Sequence, residues 1–433
     1  MNKMITPRLI PALIAVAFSG TASASGFQLL EQNASGLGNA YAGSAAVAEN
    51  ASTIFYNPAG MTELKDREIS GGLTAINTSY KFTDNGSNVG ALATAGNGGD
   101  GGGWGYLPNA YASWALNKDW YIGLGVGAPF GLKTEFDNPW KGGAQSLMFD
   151  IKTINVNPSI AWRVNESVSL GFGLNWQTIQ ADYHRQVAVL SANHAATKML
   201  LKLDDDAWGW NIGALFKLTP KTKLGVSYRS TMKYDLKGDI KFEGPVAQLA
   251  GSTTDRGAKA SLELPDTFIL SLTHALNDQV ELLGDLSWTG WSSIQEVAVI
   301  NTETKGVGSP LSTEGLPAQT LHTKFRDTWR VALGSNYRYN DALKLKFGVA
   351  YDQTPVKGEN TRLVSLPDNN RWWLSLGAQW KATKDSTLDL GVTRLFVQDS
   401  KIDNDQFSDG RGRVTGSYKA TAWIIGAQYS MSF

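Results

Sequence analysis

The chain contains no cysteine, which excludes disulfide scaffolds, zinc–thiolate centres and cysteine nucleophiles. Neither sign of charge is in excess: 39 Lys and Arg balance 39 Asp and Glu, so there is no basic face for nucleic acid. Charge is also sparse, at 18% of 433 residues, against roughly 25% in a soluble globular chain. That deficit argues against the two or three soluble domains that length alone suggests. Beyond the first residues, no apolar run approaches the ~18 residues of a membrane helix. Glycine (46 residues) and tryptophan (15 residues) are abundant, and 42% hydrophobic residues exclude a disordered chain.

The N-terminus reads as an export signal. Lys3 and Arg8 precede the short apolar run Leu9–Phe18, and Ala22-Ser23-Ala24 follows as a small-residue cleavage site. The run is too short to span about 30 Å of hydrocarbon as a helix. Residues 1–24 are therefore expected to be removed, leaving Ser25 first. An exported chain without a helical span can sit in a membrane only as a closed barrel, because lipid cannot solvate an open sheet edge.

Period-two alternation supports a barrel. Trp423, Ile425, Ala427, Tyr429, Met431 and Phe433 share one parity, with small or polar residues between them. The same pattern recurs at Val168–Gln177, Leu343–Asp352 and Trp372–Trp380. The interleaved face is rich in Gly, Ser and Asn, where a soluble sandwich would carry charge. Tight polar joints fall at Asn117–Asp119, Asn165-Glu166, Thr219–Thr222, Asn277-Asp278, Tyr339–Asp341 and Thr383–Asp385. Long irregular stretches alternate with them: Asp84–Gly105, Gly131–Phe149, Val187–Asp204, Glu243–Ala258, Asn301–Leu321, Pro355–Asn370 and Lys401–Arg413. Six turns and seven loops predict an all-β, 14-stranded antiparallel transmembrane barrel over residues 67–433, with short periplasmic turns and long outer loops. Such a barrel is wide enough to leave a lumen.

Residues 25–66 lack alternation. Their apolar patches (Phe27, Leu29, Leu30, Ile54, Phe55, Tyr56) predict a plug inside the lumen rather than a free tail. Here a resemblance becomes specific. Gly26-Phe27-Gln28-Leu29, the stretch Ser35–Gly43, and Asn57-Pro58-Ala59-Gly60-Met61 resemble the N-terminal hatch of the FadL family, long-chain fatty acid transporters of the Gram-negative outer membrane. The segments Gly131–Phe136, Leu264-Pro265-Asp266, Phe325–Gly334 and Leu366–Ser375 extend the similarity over nearly the whole mature chain.

The resemblance implies capture of a hydrophobic substrate at the outer loops, a lumenal pocket, and sideways release at a kink in the third strand. Gly123–Pro129 is the candidate kink, with Gly125, Gly127 and Pro129 as its bending residues, since glycine weakens a strand and proline removes a donor. Asn57, Pro58 and Ala59 become the hatch turn near it; on their own they also read as a turn or helix start. Parity along the fifth strand sends Ile179, Ala181, Tyr183 and Arg185 into the lumen, as a dry pocket with a cation at its top. Arg185 aligns with a basic residue of the family's internal fatty-acid site; the alternative is pairing with Glu49 or Asp182. A second basic residue that the family would place in Ser292–Val299 is absent, which leaves neutral molecules such as monoaromatic hydrocarbons open. Phe27 is assigned to the pocket. Leu200 and Leu201, within the apolar stretch Val187–Leu203, are read as a landing surface shared with Val246 and Leu249, or as residues packing on the barrel itself. Arg229, Lys233, Arg330, Lys344 and Lys346 are read as lumenal wall-to-hatch ion pairs, with ligand contacts as the alternative. No cofactor or metal is expected, and the chain is read as a monomer among outer-membrane lipid and lipopolysaccharide.

Rival classes fit less well. An outer-membrane lipase or protease would need a nucleophile motif, but no G-x-S-x-G occurs. His184, His194, His274 and His322 show neither metal-like spacing nor an evident Ser or Asp partner. A nonspecific polar porin would have no plug.

Overall fold

Strand β1 (Arg67–Asp84) pairs with the last strand, β14 (Gly412–Ser432), from Glu68↔Ser432 to Asp84↔Gly416, and this ladder closes the sheet into a barrel. The computed structural model describes residues 26–246, 256–302 and 314–433. Between the closing strands run β2 (Trp104–Ala115), β3 (Trp120–Gly127, resuming at Gly131–Glu135), β4 (Met148–Arg163), β5 (Val168–Gln186) and β6 (Lys198–Thr219). Next come β7 (Thr222–Arg229 and Met232–Glu243), β8 (Arg256–Leu264 and Thr267–Ala275), β9 (Val280–Thr289 and Val297–Asn301) and β10 (Pro317–Leu321 and Thr328–Arg338). The circuit ends with β11 (Leu343–Asp352), β12 (Arg371–Lys381) and β13 (Ser386–Val397 and Ser400–Gln406). Among the described residues all ladders between these strands are antiparallel, and the wall has the fourteen strands that turns and loops imply.

The six tight joints all occur, and four share one device. Asn117 Oδ1 accepts from the N–H groups of Asp119 (2.9 Å) and Trp120 (3.0 Å). Asn165, Asn277 and Asn340 repeat it at their own turns. An Asn side chain that mimics a backbone turn fixes a short hairpin without glycine. The loops are shorter than the sequence suggests: Gly131–Glu135, Lys198–Asp204, Pro317–Leu321 and Lys401–Gln406 are strand.

The wall changes character with height. On β5 and β6, Leu170, Phe172, Leu174, Trp208, Trp210 and Ile212 point outward and are exposed, while Asn175, Gln177 and Asn211 are buried inside. Higher up, Lys202, Asp204 and Asp206 point outward, and Ile179, Tyr183, Met199, Leu201 and Leu203 are buried inside. The lower part is built for lipid outside and polar contents. The upper part is built for water outside and apolar contents.

β5 and β6 make this change by composition alone, whereas β7 and β8 make it by slipping parity. Below its break β7 turns Ser227 and Arg229 inward; beyond Ser230-Thr231 it turns Met232, Tyr234 and Leu236 inward. β8 does the same across Pro265-Asp266, from Ser271 and Thr273 to Ala258, Ala260 and Leu262. Lys233 is therefore not lumenal. It lies on the outer face, 74% exposed, and pairs with Glu263 at 3.3 Å.

Gly26–Leu64 lies inside the barrel. Its apolar residues Leu29, Leu37, Ile54, Ala59 and Met61 are each no more than 1% exposed. The wall meets it with glycine: a Cβ at Gly171 would strike Ala59, one at Gly225 would strike Ala45, and one at Gly348 would strike Asn39. Asn57, just before a short 3-10 helix (Pro58–Glu63), donates to the carbonyls of Ala45 (2.7 Å) and Ala214 (2.9 Å) and accepts from Ala59 N–H (3.1 Å). Lys344 Nζ reaches Glu49 at 3.1 Å, while Lys346 bridges Glu49 and Asp389, the latter at 3.0 Å. Those two lysines form the expected wall-to-hatch pairs, but Arg229 and Arg330 bind hatch carbonyls instead.

Candidate functional site

The hydrogen-bonded ladder is interrupted at β3. Pairing with β2 runs from Ala115↔Tyr121 to Ala110↔Val126 and stops. The upper piece of β3 pairs only with β4, from Gly131↔Lys152 to Glu135↔Met148. The lower piece ends at Gly127↔Asn155, so Ala128-Pro129-Phe130 stand opposite only Thr153-Ile154. This single extra residue moves the inward parity from Tyr121 to Leu132 and Thr134. Above the opening, the Glu135 N–H bond to the Gly101 carbonyl (3.0 Å) resumes contact. Trp104–Asn109 of β2 thus have no ladder partner on the β3 side.

The hatch occupies the missing ladder positions. Leu29 N–H donates to the Pro129 carbonyl (2.8 Å), and Gly131 N–H donates to the Phe27 carbonyl (2.9 Å). Gln32 Nε2 donates to the Ala128 carbonyl (2.7 Å), and its Oε1 accepts from Ala128 N–H (3.0 Å). Thr153 exchanges bonds with both backbone groups of Phe130 (3.0 and 2.7 Å). Every backbone group of Ala128 and Phe130 is satisfied, as it must be beside hydrocarbon. The gap itself is a recess of about 240 Å³ between Tyr106, Leu107, Leu29, Phe130 and Lys152.

Two larger spaces lie inside. The upper one, about 730 Å³, is lined by Phe27, Phe149, Ala181, Tyr183, Leu201 and Leu203, with further apolar residues of β7–β10 and the Pro355–Asn370 loop. The lower one, about 900 Å³, is mixed in character: Gln28, Tyr56, Phe130, Arg229, Arg330 and Asp352 lie on its walls beside several hydroxyls. Aromatic rings stand between the two. Phe27 packs edge-on to Trp291 (4.9 Å between centroids) and lies 5.9 Å from Phe130, and Trp291 meets Phe325 at 5.9 Å. Trp291, Phe325, Phe130 and Gln32 escaped sequence reading. Trp291 and Phe325 sit in the interruptions of β9 and β10, where alternation fails, and that failure is the one signal that marks them.

The predicted pocket residues come together in part. Phe27, Ala181, Tyr183 and Leu201 line the upper cavity, and Ile179 packs in the same apolar cluster. Leu200 does not join them. It occupies the outer face of β6, because Lys198–Leu203 is strand rather than loop. Arg185 is buried and pairs with neither Glu49 nor Asp182. Its Nε donates to Gln319 Oε1 (2.8 Å), and its terminal nitrogens reach the carbonyls of Gln186 (3.1 Å), Val187 (2.7 Å) and Ala318 (3.4 Å). Gly125 and Gly127 face Tyr111 and Gln32 at the break, beside Pro129. Asn57, Pro58 and Ala59 sit farther from it, against Gly171 and Gly213. Leu249 lies outside the described residues. Three histidines do have partners: His194 with Ser191 (2.8 Å), His274 with Thr222 (2.9 Å) and His322 with Glu296 (2.8 Å).

One hatch carboxyl stands apart. Glu31 is fully buried and neither oxygen has a protein partner. Burial pushes it up to about 7, against the pull of Arg330 and Arg371.

Residues 15–433 match the family model described as outer membrane protein transport protein (OMPP1/FadL/TodX). The chain belongs to that family. The long-chain fatty acid transport protein of Salmonella typhi is 29% identical over 455 residues, covering 97% of each chain. A FadL homologue of Pseudomonas aeruginosa superposes with a TM-score of 0.84 at 24% identity, over 94% of this chain and 100% of its own. The toluene transporter TodX of P. putida gives 0.69 at 18% identity, over 93% and 98%. As an OMPP1/FadL/TodX member, this chain is a transport protein of the Gram-negative outer membrane and not an enzyme.

Proposed function

We propose that the chain carries long-chain fatty acids and similar hydrophobic molecules across the outer-membrane barrier passively. Cargo is captured at the outer loops, resides in the upper cavity and leaves sideways through the gap at β3. The observation that carries this reading is the placement of a cavity lined mostly by apolar residues above a break in the wall whose backbone the hatch satisfies. A polar solute gains nothing from such a cavity, whereas an acyl chain gains roughly 0.8 kcal/mol for each CH₂ it buries. Capture falls to the rim, where Leu190 and Phe407 are 72% and 57% exposed on loops joined by the Val189 N–H to Gly410 carbonyl bond (2.9 Å). The name of the Salmonella typhi relative favours a fatty acid as cargo.

Residues 1–24 act as the export signal in this reading, residues 25–66 as the hatch, and the mature chain works as a monomer surrounded by lipid and lipopolysaccharide. A second reading, uptake of neutral hydrophobics, is favoured by the absence, among the described residues, of any charged side chain from the upper cavity's lining. Growth on oleate of a strain lacking its own transporter, with and without this gene, tests the proposal. Restored growth supports it. Ready swelling of sugar-loaded liposomes containing the protein would identify a porin instead.

A further inference from the structure

The lower chamber contains a cation that no acidic group among the described residues neutralises. Arg229, on the lower half of β7, gives one terminal nitrogen to Asn175 Oδ1 and the other to the Phe55 carbonyl (3.0 Å), and its guanidinium lies 4.4 Å over the Phe55 ring. All three partners are neutral. Among the described residues no carboxylate lies within 4.0 Å of it, whereas the buried lumenal cations Lys346 and Arg371 each have acidic partners. Across the same chamber, Arg330 donates to the Ala40 carbonyl (2.6 Å) and stacks 4.9 Å from Trp373, while its Nε has no partner. Asp352, the acidic group on the chamber wall, lies 3.9 Å from Arg371.

A lone cation at membrane depth is costly and marks a ligand or ion path. A guanidinium held in position by neutral acceptors, with its face on a ring, loses little freedom when an anion arrives. Ser227, Ser230, Thr267, Ser287 and Thr289 line the space around it and offer hydroxyl donors. At the other end of the route, Arg185 has already committed its nitrogens to Gln319 and three carbonyls, and it is absent from the upper cavity's lining.

We propose that this chamber is a carboxylate station: the head group of a long-chain carboxylate rests on Arg229, with Arg330 opposite, behind the β3 gap. The inference rests on the transport reading above and adds an orientation to it. The tail lies in apolar surroundings and enters the bilayer first, and the head group leaves its polar site last. A head group that led the way would cross hydrocarbon before any tail was solvated.

The test compares oleate with oleyl alcohol, which share a tail and differ in charge, for binding at pH 8 to the full-length protein in nanodiscs. The proteins are wild type, Arg229→Met and Arg229→Lys, each checked for a closed barrel by heat-modifiable migration. The expected result is an oleate affinity about tenfold or more weaker in Arg229→Met, the scale of a lost charged hydrogen bond. Oleyl alcohol binding should be unchanged, and Arg229→Lys should retain most of the oleate affinity. If Arg229→Met weakens both ligands equally, or neither, while wild type binds both, Arg229 only braces the hatch and the inference falls alone. Wild-type protein that binds neither ligand would overturn the transport reading and this inference with it.

Discussion

Gln32 of the hatch and Ala128 of β3 exchange two hydrogen bonds, at 2.7 and 3.0 Å, so one plug side chain stands where a neighbouring strand should be. Replacing it with Ala orphans a buried N–H and a buried carbonyl, each costing about 1–3 kcal/mol. Gln32→Ala should therefore speed amide exchange at Ala128 and around the break, with the rest of the barrel unchanged. Hydrogen–deuterium exchange on the protein in nanodiscs measures this.

Glu49 anchors the hatch to the far wall. Its lysine partner Lys346 and the second acid Asp389 are each 1% exposed, and loss of one member of a buried pair costs about 3–5 kcal/mol. Glu49→Gln should loosen the plug and raise ion conductance in planar bilayers. Burial alone would raise this carboxyl, but Lys344 and Lys346 outweigh it and hold the group well below the usual carboxylate range. Its contribution is therefore present above the unfolded value of 4.5 and is lost as acid is added below that. Conductance of the wild type should rise in acid, and that of Glu49→Gln should depend less on acid.

Glu31 works in the opposite direction. Its folded-state value is raised to about 7 from 4.5, so the stability it contributes is complete below about pH 4.5 and is lost as pH rises through 7. Resistance of the hatch to added protease should fall between about pH 4.5 and 7 in the wild type. Glu31→Gln, which stays neutral, should remove that fall.

Adjacent leucines on β6 separate the two faces of the upper wall. Leu201 lies in the cavity at 5% exposure, while Leu200 lies on the outer, water-facing side. Leu201→Lys places an unpaired charge in an apolar space and should abolish hydrophobic ligand binding. Leu200→Lys should leave it near wild type. Fluorescent fatty-acid displacement reads both.

Strand parity accounts for what the sequence discloses and what it hides. Alternation along β5 places Ile179, Ala181, Tyr183 and Arg185 on the inner face, and they are there because that strand has no interruption. Parity misplaces Lys233, because Ser230-Thr231 adds an offset that a period of two does not register. It fails for Leu200 and Leu201 because the upper strands carry apolar residues inward and charge outward, the reverse of a membrane wall, and so resemble a greasy loop. The strand count was legible because Asn-led turns recur at Asn117, Asn165, Asn277 and Asn340. The hatch left a trace in the wall as well: glycines at inward positions such as Gly171, Gly225 and Gly348 mark where it presses. The partition of Phe27, Trp291 and Phe325 was not legible, since it joins residues from three distant segments.

The central claim is that cargo leaves through the wall at β3, and removal of Pro129 addresses it most directly. The deletion leaves two residues opposite Thr153-Ile154, restores a single inward parity from Tyr121 to Leu132, and allows β2 and β3 to pair without a gap. With the barrel folded and ligand binding in the upper cavity intact, oleate uptake by cells carrying the variant should fall to the level of cells with no transporter. Uptake at the wild-type rate through a wall shown to be continuous would contradict lateral release.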